Sequence, residues 1–373
     1  MASDQWVPGH TGGSVHVQEV ARGLAARGHV THAVVRLPAA GAPLEERDGV
    51  SWHRVSWWPP GRHFRFRAHA SVARIADRVR PDVVIERYFN FGGEGIRVAR
   101  ERGVPALLEV NSPLLDHPGS LKGALDAVLL RPMRRYRERL CRDSAALVSP
   151  LLSIVPAFVR DKTEVVTWGA NVEAFHPARR DIDVRRTLGV PEHALCVVFS
   201  GSFRPWHGVH VFEAAARRLA SRDDIFFLLV GSPNPGQPRD YRGRRLAPVA
   251  YDAMPALLAS ADVGVAPYDT SRLGQLRLGF YWSPLKVFEY MASGLPTITI
   301  ARPPLTEIVR SGVEGLHFRE ADAADLAGAV ETLAADAPLR QRIGQAARER
   351  VVERYSWAGH CEQLERVLKR IAA

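Results

Sequence analysis

The most informative pattern in the chain is FYWSPLKVFEYMASGLPTITI, residues 280–300. It predicts a helix that begins near Ser283, stops at Gly294 and leads through a tight turn into a buried strand at 297–300. The first amides of a helix lack partners and lie at the positive end of its dipole, so they can hold an anion such as a diphosphate. A Ser283 cap followed by Pro284 at the first helical position would also suit an ordinary amphipathic helix without a ligand.

The flanking stretches are ASADVGVAP at 259–267, LTEIV at 305–309 and GVEGL at 312–316. Together with 280–296 they resemble the donor-binding signature of family 4 retaining glycosyltransferases of the GT-B architecture. The resemblance implies an α/β fold of two Rossmann-like domains facing a central cleft, with a C-terminal helix returning to the first domain. It also implies that the turn at Pro284 and the amides of Leu285 and Lys286 bind the donor phosphates, and that Glu289 accepts hydrogen bonds from the ribose.

Tyr281 marks a departure from the family pattern. Many members carry two Glu residues eight positions apart, and Tyr281 stands eight positions before Glu289. The first Glu usually contacts the donor sugar, so the identity of the sugar stays open. Ser283, Pro284 and Lys286 instead fit a Ser-Pro-x-Lys variant of the turn. Lysine occurs at four positions in a chain that otherwise uses arginine, so an ammonium group at 286 is distinctive.

A second donor loop is SGSFRPWHG, residues 200–208, which resembles the family loop where Arg and Lys neutralise the diphosphate. Arg204 keeps the guanidinium, and His207 stands at the usual Lys position, where its charge is expected to titrate near neutral pH. A surface loop around a packed Trp206 is the alternative. Main-chain groups around Val249 are expected to contact the base, so UDP and GDP are not distinguished.

The first half offers weaker candidates. Gly12 and Gly13 precede a helix, so their amides could approach donor phosphates or acceptor, although a Gly-Gly pair is often just a turn. Asn111 follows the strand 105–110 at the position where many relatives have a His close to the sugar. It could equally be a turn-forming Asn, and His117 is a further candidate.

The composition limits the class of protein. The chain has 373 residues, a net charge of +10 and three widely spaced cysteines, Cys141, Cys196 and Cys361. The length fits two domains, and the cysteines favour neither a disulfide framework nor a thiolate metal site, so a reducing cytosol and no metal are expected. The charge allows nucleic acid, an anionic membrane or phosphorylated small molecules as partners, and nucleic acid is the weakest of the three because its sequence motifs are missing. The stretch 57–67 could bind acceptor, touch an anionic membrane or pack on its own domain, and the run 131–142 reads as a solvated amphipathic helix.

Alternating apolar runs and amphipathic helices predict parallel sheets covered by helices. We expect an acceptor-side domain at 1–170, a nucleotide-sugar domain at 171–355 and a returning helix at 356–373. Only 1–8 precede the Gly-rich loop, and just Trp6 and Val7 are apolar there. The first, central strand is therefore predicted to be missing, and a misassigned start or a truncated sequence is expected.

These features predict a cytosolic, metal-independent, retaining glycosyltransferase that needs no cofactor and uses a UDP- or GDP-linked sugar. Its partners would be the nucleotide sugar and a small-molecule or lipid-linked acceptor. Two alternatives stay open: a sugar-nucleotide epimerase of the same architecture, and a non-catalytic partner subunit that binds nucleotide sugar.

Overall fold

A computed structural model describes residues 1–9, 11–37, 42–59, 61–281 and 283–373. His10, Pro60 and Trp282, which fall within stretches singled out above, lie outside the described residues. The chain forms two compact units. The first unit consists of 1–168, 277–283 and 357–373, and the second of 169–276 and 284–356.

Each unit is built on one sheet. The first unit contains an eight-stranded sheet in the order β3-β4-β2-β1-β5-β6-β7-β8, in which only the β3–β4 pair is antiparallel. The second contains a six-stranded parallel sheet in the order β11-β10-β9-β12-β13-β14. The strands are β1 Ala2–Trp6, β2 Thr31–Arg36, β3 Leu44–Arg47, β4 Val50–Val55, β5 Val84–Arg87, β6 Ala106–Glu109, β7 Ala146–Ser149, β8 Thr163–Val165, β9 Leu195–Ser200, β10 Ile225–Val230, β11 Gly243–Leu246, β12 Val263–Ala266, β13 Thr297–Ile300 and β14 Gly315–Phe318.

Helices alternate with these strands, as the sequence pattern predicts. Those of the first unit are α1 Gly12–Ala26, α2 His69–Val79, α3 Glu94–Glu101, α4 Leu121–Val128 and α5 Pro132–Asp143. Those of the second are α6 Ile182–Leu188, α7 Val209–Arg218, α8 Met254–Ala259, α9 Leu285–Ala292, α10 Leu305–Ile308, α11 Ala323–Ala335 and α12 Ala337–Arg354, and the last helix, α13 Trp357–Ala372, belongs to the first unit. The inner strands β9, β10, β12 and β13 are buried along their whole length, because helices cover both faces of a parallel sheet.

The first strand, which the sequence pattern led us to regard as missing, is present as β1. It lies between β2 and β5, although its middle residues Ser3, Asp4 and Gln5 are polar and buried. These side chains have partners inside the unit: Arg87 Nη1 lies 3.2 Å from Asp4 Oδ1, and Gln5 Nε2 donates to Asp4 Oδ2 at 2.8 Å. A search for apolar runs fails here because hydrogen bonds and an ion pair offset the burial of this strand.

The division of the chain also differs from the expected one at residues 277–283, which we placed in the nucleotide-sugar domain and which pack with the first unit. Ser153 Oγ donates to the carbonyl of Leu278 at 2.7 Å, and the backbone amide of Trp168 donates to Ser283 Oγ at 3.1 Å. These tertiary contacts join residues far apart in sequence, so local patterns carried no sign of them.

Candidate functional site

The loop after β9 is shaped by two glycines. Gly201 has φ +155°, and Gly208 has φ +67° at the start of α7. A Cβ atom at Gly208 would lie 1.6 Å from the carbonyl oxygen of Pro267, so only glycine fits this backbone. Between the glycines, Arg204 precedes a short 3-10 helix at Pro205–His207. The predicted loop therefore exists as a tight connection from the end of a central strand to a helix.

Lys286 approaches this loop from α9. Its side chain is buried, and Nζ lies 4.1 Å from the ring centre of Phe199. A Cβ atom at Gly201 would meet Nζ at 2.7 Å and His207 Nδ1 at 3.1 Å. Among the described residues Nζ has no hydrogen-bond partner. Burial lowers the pKa of the ammonium group from 10.5 to about 7, against the opposing attraction of Glu289. A buried cation without a hydrogen-bonded partner is costly in a free protein, which indicates a place for an anion.

His207 differs from the sequence-based expectation. Burial, followed by the positive charges of Lys286 and Arg204, lowers the pKa of its imidazole to about 2. The ring is therefore neutral at physiological pH, and the expectation that it titrates near neutrality is wrong for the unliganded protein. Arg204 is exposed, and its guanidinium carbon lies 5.9 Å from the ring centre of Trp206. Lys286 and Arg204 supply the positive charge of this loop, and His207 offers a neutral hydrogen-bonding ring.

The N-terminus of α9 lacks the cap that the sequence suggested. Pro284 occupies the N-cap position, no side chain caps the helix, and Ser283 instead accepts the hydrogen bond from the Trp168 amide. The ordinary Ser-capped helix is therefore not what forms. The first amides, those of Leu285 and Lys286, are left without a side-chain cap, as an anion-binding helix end requires.

Three further predicted residues have clear positions. Glu289 is buried one turn into α9, in the second unit. Val249 is half-buried in the loop after β11, where the amides of Gly231 and Ser232 both donate to the carbonyl of Leu246, the last residue of that strand. Tyr281, at the position of the missing Glu, is buried and belongs to the first unit.

In the first unit, the Gly-Gly pair opens α1. Thr11 is the N-cap, and its Oγ1 accepts from the Ser14 amide at 3.2 Å, so this helix end does have a side-chain cap. A Cβ atom at Gly13 would lie 2.7 Å from Gln5 Oε1 and 3.2 Å from Arg87 Nη2. The glycine therefore lets α1 approach the polar end of β1 closely. Gly12 is the first residue of the same helix.

Asn111 is held by a neighbour. Its Oδ1 accepts from Trp168 Nε1 at 2.9 Å, and its buried Nδ2 has no hydrogen-bond partner among the described residues. This arrangement leaves both N–H donors of the side-chain amide open to a ligand. The Nδ1 atom of His117 lies 3.0 Å from the carbonyl oxygen of Pro118, and His117 takes no part in the Asn111 contact.

Sequence reasoning missed a buried cluster of His16, Glu109 and His360. His16 Nε2 lies 2.6 Å from Glu109 Oε1, the His16 ring stacks on Trp168 at 4.5 Å, and His360 Nδ1 donates to the carbonyl of Thr167 at 2.8 Å. Burial lowers the pKa of His16 and, to about 4, that of His360. The three residues are close enough in space to share an ion, but the short His16–Glu109 contact is that of a direct pair. The sequence signal that could have indicated this cluster is the position of His16, three residues after Gly13 in the same helix.

The chain matches two family models and several known proteins. The model described as a glycosyl transferase 4-like domain matches residues 11–169, and the one described as glycosyl transferases group 1 matches 194–336. A D-inositol 3-phosphate glycosyltransferase from Geodermatophilus obscurus is 29% identical over 95% of this chain and 84% of its own. An alpha-maltose-1-phosphate synthase from Mycolicibacterium smegmatis is 28% identical over 62% of each chain.

Solved structures agree in fold. Sucrose-phosphate synthase from Thermosynechococcus elongatus superposes with a TM-score of 0.74 at 19% identity, covering 96% of this chain and 93% of its own. Anabaena HepE in complex with UDP and glucose gives 0.70 at 17% identity, covering 99% and 98%. The predicted GT-B fold class, with its two parallel-sheet α/β units, is confirmed. The chain belongs to the family 4-like, group 1 glycosyltransferases.

Proposed function

We propose that the loop after β9 and the N-terminus of α9 bind the diphosphate of a nucleoside-diphosphate sugar. The observation that carries this proposal is the ammonium group of Lys286, which is buried beside Gly201 and His207 and has no hydrogen-bond partner among the described residues. A diphosphate supplies the charged hydrogen-bond acceptors that this ammonium group lacks. The uncapped amides of α9 point to the same class of ligand.

In this proposal the sugar is transferred with retention. The bond between the anomeric carbon and the phosphate oxygen breaks, the acceptor oxygen bonds to that carbon from the same face, and the acceptor proton passes to the departing phosphate. No protein nucleophile takes part. Negative charge grows on the leaving diphosphate, so groups that hold it in place before the reaction lower the barrier. Lys286 and Arg204 provide charge, the α9 amides provide hydrogen bonds, and the neutral His207 donates or accepts one more.

The nucleotide is proposed to lie along the same unit. Glu289 would accept hydrogen bonds from the ribose hydroxyls, and main-chain groups around Val249 would contact the base. We favour UDP over GDP because Anabaena HepE was solved with UDP and with UDP-glucose. Lys286 on α9 and Arg204 in the loop would neutralise the diphosphate, so neither metal nor cofactor is included in the proposal. A small-molecule or lipid-linked acceptor completes the reaction.

The two alternatives gain no support from the known relatives, whose names describe transferases and synthases. Incubating the protein with UDP-glucose and no acceptor distinguishes a transferase from the two alternatives, an epimerase and a non-catalytic binding subunit. A transferase releases UDP and glucose slowly, an epimerase converts the donor to another nucleotide sugar, and a binding subunit leaves it intact.

Glu289→Gln tests the nucleotide site directly. Charge-assisted hydrogen bonds to the ribose contribute about 1.5–3 kcal/mol, so the variant should bind UDP roughly 10- to 150-fold more weakly in calorimetric titrations. Glu192→Gln, an exposed residue just before β9 at the other end of the strand, is the matched control and should bind like wild type. Unchanged affinity of Glu289→Gln for both UDP and GDP would remove Glu289 from the site.

A further inference from the structure

An exposed apolar surface lies on α4 and the residues after it. Leu121, Leu125, Val128, Leu129 and Leu130 are between 58% and 79% exposed, and we call these five residues the α4 patch. Leu121, Leu125 and Val128 or Leu129 follow helical spacing, so they form one stripe. Single exposed leucines are ordinary on protein surfaces, but five within ten residues mark a surface that contacts something apolar.

The patch is held outward by hydrogen bonds. Asp126 on α4 is buried, and its two carboxylate oxygens accept from the amides of Met133 at 2.8 Å and Arg134 at 3.0 Å. Asp126 thus caps α5 in place of the N-cap residue Arg131, which makes no capping hydrogen bond. Ser120 caps α4 itself by accepting from the Gly123 amide at 3.1 Å. Turning the leucines inward would break these caps.

The surroundings of the patch are strongly basic. Residues 121–142 contain seven basic and two acidic side chains. One of the acidic residues, Asp126, is used by the cap. Arg131, Arg135 and Arg139 are exposed and form no ion pair within the described part of the chain. Apolar side chains bordered by unpaired arginines match the interface of an anionic bilayer. There the apolar side chains contact the acyl chains, and the arginines contact the headgroup phosphates.

We propose that the α4 patch seats the protein on an anionic membrane surface. None of the helices in the described ranges is long and apolar enough to cross a membrane, so this contact is one in which α4 lies along the interface. A second copy of the chain is a poorer occupant, because a symmetric pairing of the patch would bring its arginines together. The proposal places membrane contact at α4 rather than at the stretch 57–67 considered from the sequence.

Vesicle flotation tests the proposal without donor or acceptor, so its outcome is independent of the proposed reaction. Wild type should float with vesicles of phosphatidylcholine containing about 30% phosphatidylglycerol and stay in solution with phosphatidylcholine alone. The double variant Leu125→Ser/Leu129→Ser should lower the vesicle partition coefficient by about 10-fold or more. Arg131→Gln/Arg135→Gln should lower it about 30-fold and flatten its salt dependence.

Val352→Ser is the matched control, because this valine is also exposed but lies on α12 of the second unit. It should float like wild type, and circular dichroism should show that all variants fold. Failure of wild type to float with anionic vesicles at low salt would overturn the proposal. Equal flotation of Leu125→Ser/Leu129→Ser would overturn it as well. A wild-type dimer that this variant converts to a monomer would assign the patch to self-association instead.

Discussion

Replacing Lys286 by Met should make the protein more stable and weaken its binding of nucleotide. The folded protein holds this ammonium group with a pKa of about 7 instead of 10.5. At about 1.4 kcal/mol for each pKa unit, keeping it charged at pH 6 costs roughly 4–5 kcal/mol. The cation–π contact with Phe199 offsets about 1–2 kcal/mol of this cost. Because Met fills the same space without a charge, Lys286→Met should raise the free energy of unfolding by about 2–4 kcal/mol.

The gain should depend on pH. Between pH 7 and 10.5 the unfolded chain binds the lysine proton and the folded chain does not, so wild-type stability rises with pH across this window. The advantage of Lys286→Met should therefore shrink by roughly 2–3 kcal/mol between pH 6 and pH 9. Urea titrations followed by circular dichroism at both pH values measure this change.

Nucleotide binding should respond in the opposite direction. UDP binding needs the protonated lysine, so wild-type affinity should fall by up to about 100-fold from pH 7 to pH 9, while the affinity of Lys286→Met is low and flat. Lys369→Met is the control, because this lysine is exposed and its Nζ atom already has a partner, Glu365 Oε1, at 3.0 Å. It should change stability by less than about 0.5 kcal/mol. A Lys286→Met protein that is less stable at pH 6, or that binds UDP like wild type, would refute the assignment of Lys286 to the phosphate site.

Two further predictions concern the loop after β9. Arg204→Ala should lower the turnover rate of donor hydrolysis about 10²- to 10³-fold, as the loss of one group that stabilises a developing negative charge does in other enzymes. Near-normal turnover with saturating UDP-glucose would exclude Arg204 from stabilising the leaving group. Gly208→Ala should destabilise the protein by about 2 kcal/mol or more in urea titrations, because φ at this position is positive and the carbonyl of Pro267 blocks the new Cβ atom. Its control, Gly328→Ala, lies in open space on α11 and should stabilise the protein by about 0.4–1 kcal/mol. Equal effects of the two substitutions would contradict the close approach at Gly208.

The architecture was predictable because its signals are local and repeated. Apolar runs such as IFFLLV at 225–230 and the helix stop at Gly294 report directly on buried strands and turns. These signals failed at β1, whose buried residues are polar and depend on Arg87 from β5, a neighbouring strand in the sheet that is distant in sequence. No local pattern carries that partner, so the strand could be found only in three dimensions.

The proximity of Arg204, His207 and Lys286 was predictable from the sequence, and the electrostatics of these three residues less so. Sequence identified Arg204, His207 and Lys286 as a group, but it assigned the titration near neutral pH to the histidine. In the structure the histidine is neutral, and the lysine has the pKa near 7. Burial and mutual charge decide which group holds a proton, and neither quantity can be derived from residue type alone.

The discontinuity of the first unit has a consequence for synthesis. Its helix α1 packs against α13: His16 faces His360 at 5.7 Å between ring centres, and Arg27 Nε donates to Glu365 at 2.9 Å. A ribosome releases residues 357–373 after every residue of the second unit has emerged. The unit that begins the chain is therefore the last to be completed, and until then the face of α1 that receives α13 is open to chaperones and proteases.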